Sequence, residues 1–133
     1  MPFIDQSAIH ASAEPKFDAD RLLAAISAVE SGNDDRAVGS HGEAGRFQFS
    51  EETWKEETDL PFNDAFDYAK ARAVAKRHLF TLKWQLQERR IEPTVIRLAT
   101  AWRGGIGAVI LNKLVNQDLK SYSVRVENLY LSR

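Results

Sequence analysis

The stretch Leu22-Leu23-Ala24-Ala25-Ile26-Ser27-Ala28-Val29 is apolar with helical spacing, and it stops abruptly at Glu30-Ser31-Gly32-Asn33. This junction constrains the fold most, because a helix with a buried face must pass at once into a loop. A helix advances ~100° per residue. With Leu22 at zero, Leu23 falls near ~100°, Ile26 near ~40°, Val29 near ~340° and Glu30 near ~80°. The Glu30 carboxyl therefore points into the apolar stripe, between Ile26 and Leu23. A carboxyl held there loses solvation, and its proton becomes harder to remove. Such a group can donate a proton near neutral pH. The alternative is a helix-end glutamate that reaches round to solvent.

The chain has 133 residues, which suits one domain with one core. A net charge of -1 gives no electrostatic reason to expect nucleic acid or an anionic membrane as partner. There is no cysteine, which excludes disulfides, a thiolate nucleophile and Cys-type zinc sites. His10, His41 and His78 are scattered without ligand spacing, so no metal site is expected. The N-terminus, Met1-Pro2-Phe3-Ile4-Asp5-Gln6-Ser7, has neither the basic nor the apolar region of a signal peptide. No apolar run approaches the ~20 residues of a membrane helix. A target outside the cytoplasm would need another export route, or the chain would be part of something larger.

Residues 1–17 hold Pro2 and Pro15 with no sustained period and read as an N-terminal arm; the domain proper is expected over 18–133. Asp18 or Asp20 can cap a first helix over about 19–31, with Gly32 and Asn33 at its exit. Gly32, Gly39, Gly42 and Gly45 then mark residues 32–49 as turns. Within them Arg46-Phe47-Gln48-Phe49 alternates, which allows a short strand in a small hairpin, or an irregular loop. Ser50 can cap a short helix containing Trp54, with Pro61 beyond its end.

The longest helix is predicted from about Asp64 to Arg89, capped by Asn63 or Asp64, with Tyr68, Ala75, Leu79, Leu82 and Leu86 on its buried face. A helix after Pro93 carries Val95, Leu98, Ala99 and Trp102 on one side, until Gly104, Gly105 and Gly107 interrupt it. Two further helices are predicted, over about 107–116 and about 119–131, the latter aligning Tyr122, Val126, Leu129 and Tyr130. The fold class is mainly α: a compact helical domain with a small β-hairpin or loop insertion after the first helix.

Glu30-Ser31-Gly32-Asn33, then Ala37-Val38-Gly39, then Gly42-Glu43-Ala44-Gly45-Arg46-Phe47-Gln48-Phe49, then Thr53-Trp54, stand in a fixed order. Later come Ala101-Trp102-Arg103-Gly104-Gly105-Ile106-Gly107-Ala108-Val109 and Tyr122-Ser123-Val124-Arg125-Val126-Glu127-Asn128-Leu129-Tyr130. Together these elements resemble the catalytic domain of soluble-type lytic transglycosylases and goose-type lysozymes, across residues 18–131. The resemblance implies a lysozyme-like fold and cleavage of peptidoglycan at the β-1,4 bond between N-acetylmuramic acid and N-acetylglucosamine. It implies that Glu30 is the general acid, and the general base if a second step follows. It implies no organic cofactor.

Each candidate also has a reading from its own chemistry. Cleaving a sugar–sugar bond needs a proton at the leaving oxygen while positive charge grows at the ring carbon. Gln48 can hold an N-acetyl group with its amide, or fasten the loop. Gly45 lets the backbone approach a ligand or take a positive φ, or simply makes a turn. Ser31 can bind a sugar or cap the helix end. Tyr122, by the resemblance, reaches back to the acid with its hydroxyl; otherwise it is a core aromatic. Trp102 and Trp54 offer flat faces to sugar rings, or pack in the core.

Two positions depart from the family pattern. Arg103 replaces an asparagine, and can bind a carboxylate of the substrate or pair with Glu30 and lower its pKa. Phe47 stands before Gln48 where methionine is common, an apolar replacement. Glu43 lies thirteen residues after Glu30 in the glycine-rich segment. As a second carboxylate that positions water, it would make an inverting hydrolase, at a separation of roughly 6.5–9.5 Å from the acid. Without that role, the sugar's own hydroxyl closes on the anomeric carbon and leaves an anhydro product. The alternative is a surface glutamate paired with Arg46 or Arg36; Asp34 and Asp35 are weaker candidates and read as turn residues. Two rivals stand beside peptidoglycan cleavage: a chitin or chitosan hydrolase on the same fold, and a non-catalytic glycan-binding or structural module. Peptidoglycan cleavage would take place outside the cytoplasm, in a periplasmic, extracellular or phage-delivered setting.

Overall fold

The computed structural model describes residues 17–111 and 116–132; the predicted arm over 1–17 lies almost wholly outside them. The described chain is mainly helical: α1 (Ala19–Ser31), α2 (Glu51–Glu57), a 3-10 turn (Phe62–Phe66), α3 (Tyr68–Glu88), α4 (Val95–Gly104), α5 (Ile106–Ile110) and α6 (Gln117–Leu131). Asp18 starts α1 by accepting a hydrogen bond from the Arg21 amide at 3.1 Å. Gly32 ends it in a left-handed conformation, its amide donating to Ala28.

Leu22, Leu23 and Ile26 of α1 are fully buried against Leu79 and Leu86 of α3, Leu98 of α4 and Val126 of α6 in one core. The tightest helix pairing is α4 with α6, and α1 also packs on α6. Small side chains permit it: buried Thr100 and Ser123 share a hydrogen bond of 2.7 Å across the α4–α6 crossing. The far end of α6 is fastened to the start of α1, where the Asp18 amide donates to the Tyr130 hydroxyl at 3.0 Å. These links bring Tyr122, next to Ser123, beside the last turn of α1.

The structure corrects several sequence boundaries. The long helix begins at Tyr68 and is capped by Asp67, not by Asn63 or Asp64. Asp67 is extended, at φ -92° and ψ 121°, and this splits off the preceding 3-10 turn. Tyr68 is consequently a first-turn residue, 46% exposed rather than core, with the Arg46 guanidinium over its ring at 4.5 Å.

The last helix starts at Gln117, earlier than predicted, because Asn116 accepts from both Asp118 and Leu119. Leu129 is largely exposed there. The buried stripe runs through Ser123, Val126 and Tyr130, and Leu129 lies ~90° from its centre. The helix predicted over about 107–116 begins at Ile106, and its described part ends at Ile110; residues 112–115 lie outside the described residues.

No paired strands form between α1 and α2 among the described residues; of the two shapes expected there, the irregular loop is present. It holds only the isolated bridges Val38–Ala44 and Ala44–Phe49. Gln48 takes a positive φ of 55°, which breaks the extension that Arg46-Phe47-Gln48-Phe49 would need. Phe47 and Phe49 are nonetheless both buried, so the loop is anchored by side chains instead of by a ladder.

Candidate active site

A cleft of about 720 Å³ opens beside the end of α1. Its walls come from α1, the glycine-rich loop, α2, α3 and the end of α4. They include Glu30, Glu43, Gln48, Trp102 and Arg103 of the residues singled out in the sequence. Ser31, Gly45 and Tyr122 stand behind these walls and do not line the cleft.

Glu30 is carried there by the phase of α1, and its side chain is only 3% exposed. Burial raises its pKa above the ordinary carboxyl value, because the charged form loses water. The nearby Tyr122 phenol and the Arg103 guanidinium oppose this rise, and the charge of Glu43 adds to it. Arg103 Nη1 donates to Glu30 Oε1 at 3.1 Å from a side chain that is 58% exposed. Of the two partners open to Arg103 in the sequence, the structure shows Glu30. The resulting attraction does not reverse the effect of burial.

Tyr122 is buried, and its guanidinium neighbour Arg103 lies 5.4 Å from the ring centre. Its hydroxyl finds no partner in hydrogen-bonding geometry among the described residues. It is still near enough to Glu30 for each to shift the other's ionisation. Burial, then the Glu30 charge, push the phenol well above its ordinary value, so it stays neutral.

The loop brings Glu43 and Gln48 together over Gly39. A β-carbon at Gly39 would collide with Glu43 Oε1 and crowd Gln48 Oε1, so the missing side chain is what admits both. Gly45 has a different task. It takes φ +80°, and a β-carbon there would strike the Ala65 carbonyl oxygen. Gln48 Nε2 donates to the Gly45 and Ala37 carbonyls at 2.9 and 3.3 Å, which fastens the loop.

The Glu43 carboxylate accepts from the His41 amide at 3.0 Å. Its own backbone amide, foremost, and that of His41 lower its pKa, against a smaller opposing effect of burial. It is not paired with Arg46, which instead grips Asp35 through two bonds of 2.8 and 3.1 Å. Asp34 accepts from the Arg36 amide at 2.9 Å, as a turn residue would. The Ser31 hydroxyl donates to the Arg46 carbonyl at 2.8 Å and accepts from the Asp34 amide at 3.0 Å, stitching α1 to the loop.

Trp102 serves core and cleft at once. Its ring packs 5.8 Å from Phe49 and 5.0 Å from His78 while contributing to the cleft wall. Trp54 is fully buried and belongs to the core.

Sequence reasoning missed a second polar cluster on the same cleft. Glu57, almost wholly buried at the end of α2, bonds His78 Nδ1 at 2.9 Å and accepts from the Thr81 hydroxyl at 3.3 Å. His78 and Thr81 are one turn apart on α3, but nothing local ties them to Glu57, twenty-one residues before His78. The available signal was a histidine beside the apolar face of Ala75, Leu79 and Leu82.

Among the described residues, no group of three or more acidic or histidine side chains could hold a metal ion. No described helix is long and apolar enough to cross a membrane. The chain matches no protein-family model, and no curated protein matches it.

Proposed function

We propose that this chain is a lysozyme-like glycosidase that cleaves the β-1,4 bond between N-acetylmuramic acid and N-acetylglucosamine, with Glu30 as general acid. One observation carries the reading. Two carboxyls on one cleft are pushed in opposite directions, Glu30 towards keeping its proton and Glu43 towards losing it. Such divergence separates an acid from a base within one site.

In this reading Glu30 gives its proton to the bridging oxygen as the glycosidic bond breaks. Glu43 steadies the positive charge at the ring carbon or orients water towards it. Water attack yields a reducing end; attack by the sugar's own hydroxyl yields an anhydro end. Tyr122 acts from behind Glu30, and the exposed Arg103 side chain swings off the acid when substrate enters. Gln48 keeps its amide nitrogen on the loop carbonyls while its side chain forms part of the cleft wall.

A second reading, a chitosan hydrolase with the same acid, has its own support. Glu30, Glu43, Glu56 and Glu57 all line the cleft, and among the described residues Arg103 is the one Arg or Lys lining it. A surplus of carboxylates suits a cationic polymer.

The test is mass spectrometry of fragments released from purified peptidoglycan and from chitosan by wild type and Glu30→Gln. Muropeptides from wild type alone support the first reading; glucosamine oligomers alone move it to the second. Release by a folded Glu30→Gln protein ends both. No release by wild type leaves a binding module.

A further inference from the structure

The longest helix, α3, carries a second surface that the proposed chemistry does not use. Phe80 and Trp84 are 44% and 59% exposed, large costs for aromatic side chains on a small domain. They lie one turn apart on the same face, separated by ~6 Å along the helix axis, the scale of one hexose ring. With Lys76 and Arg77 they border an open hollow of about 810 Å³. Glu57 and Thr81 border this hollow and also the cleft that holds Glu30, so the two depressions meet along one ridge.

We propose that this face of α3 is a binding platform for the glycan strand leaving the cleft, and that the strand bears carboxylate groups, received by Lys76 and Arg77. The inference rests on the glycosidase reading and specifies its substrate as a long, acid-substituted polymer. Three observations select this occupant. The hollow adjoins the cleft across Glu57 and Thr81, so a chain too long for the cleft meets it on crossing that ridge. Flat aromatic side chains match the apolar C–H faces of sugar rings, while the open rim leaves the hydroxyls in water.

The third observation is charge. The cleft walls are acidic, but the hollow offers cations: Arg77 makes no ion pair among the described residues, and Lys76 shares the exposed Asp20 with Arg72. Carboxylates on stem peptides are repelled inside the cleft and attracted just outside it.

The test compares Phe80→Ala/Trp84→Ala with the otherwise unaltered protein. Both side chains are largely exposed, so folding is retained. Binding is measured in a Glu30→Gln background, by co-sedimentation with insoluble peptidoglycan. The double substitution should weaken it about tenfold, the loss of a well-placed aromatic contact. With Glu30 intact, cleavage of a short soluble muropeptide oligomer confined to the cleft should stay within about twofold. Arg77→Gln should weaken sedimentation with peptidoglycan but not with carboxyl-amidated peptidoglycan.

Unchanged sedimentation of the double variant overturns the proposal. So does an equal loss on the short oligomer, or a wild-type self-association that the double variant abolishes, which would give the face to a second copy of the chain. If wild type cleaves no glycan but sedimentation still depends on Phe80 and Trp84, the catalytic reading falls and the platform stands.

Discussion

Glu30 and Glu57 are the same residue type, each almost hidden from water, on the same cleft, yet their surroundings make them opposites. Glu57 is matched by the His78 imidazole and the Thr81 hydroxyl, both from one helix. Among the described residues Glu30 has a single bond, to an Arg103 side chain that is mostly in solvent, and beside it a phenol whose hydroxyl forms no hydrogen bond there. A buried carboxyl with a full set of partners is a structural element. One left short of partners is chemically available. Burial alone does not distinguish them; the partners do.

The strongest way to break this contrast is to make one substitution at both places. Glu30→Gln should lower glycan cleavage by about 10²–10⁴-fold, the range of a general acid's contribution, measured as product release per unit of folded protein. Glu57→Gln should retain cleavage within about tenfold, because it removes no reacting group. Its main effect should be on stability. An amide nitrogen facing the His78 ring and the Thr81 hydroxyl should cost about 1–3 kcal/mol in urea unfolding. Equal losses of cleavage at the two positions would erase the distinction.

The pH dependence of stability sharpens it further. The folded pKa of Glu30 lies above its ordinary 4.5, so the proton is bound more tightly in the folded chain. The stability this confers is complete below pH 4.5 and is lost as pH rises through the folded value. Glu30→Gln should therefore be more stable than wild type at neutral pH, with the advantage vanishing in acid. Glu43 has the opposite sign: its contribution is present above 4.5 and fades as pH falls through its lowered folded value. The activity profile should accordingly be bell-shaped, its basic limb set by Glu30 and its acidic limb by Glu43.

The smallest expected effect is that of Arg103→Asn. Removing the cation raises the Glu30 pKa a little more, so cleavage should be kept and the basic limb of the rate profile should move upward. A folded but inactive Arg103→Asn protein would give the arginine an essential part.

The same contrast explains what could be read from the chain. The placement of Glu30 was legible because it follows from helix phase alone: Leu22, Leu23 and Ile26 define a stripe, and position 30 falls within it. The bounds of α1 were legible because Asp18 and Gly32 are local signals. The start of α3 was not. Residues 62–66 continue a helix-like pattern, and only the extended backbone of Asp67 separates the two. Glu57 stayed invisible because its meaning lies in a partner on another helix. Ser31 could by position bind a sugar or cap the helix end, and its hydroxyl is bonded to the loop backbone as both donor and acceptor. Local periodicity reports which side of an element is buried; it does not report what a buried polar group finds there.

Gly39 turns this into a practical handle. The gap it leaves is no larger than a methyl group, and two oxygens from different parts of the loop occupy it. An alanine there would displace the ends of the Glu43 and Gln48 side chains, so the least conspicuous edit available would re-aim a cleft carboxylate without altering a single ionisable residue.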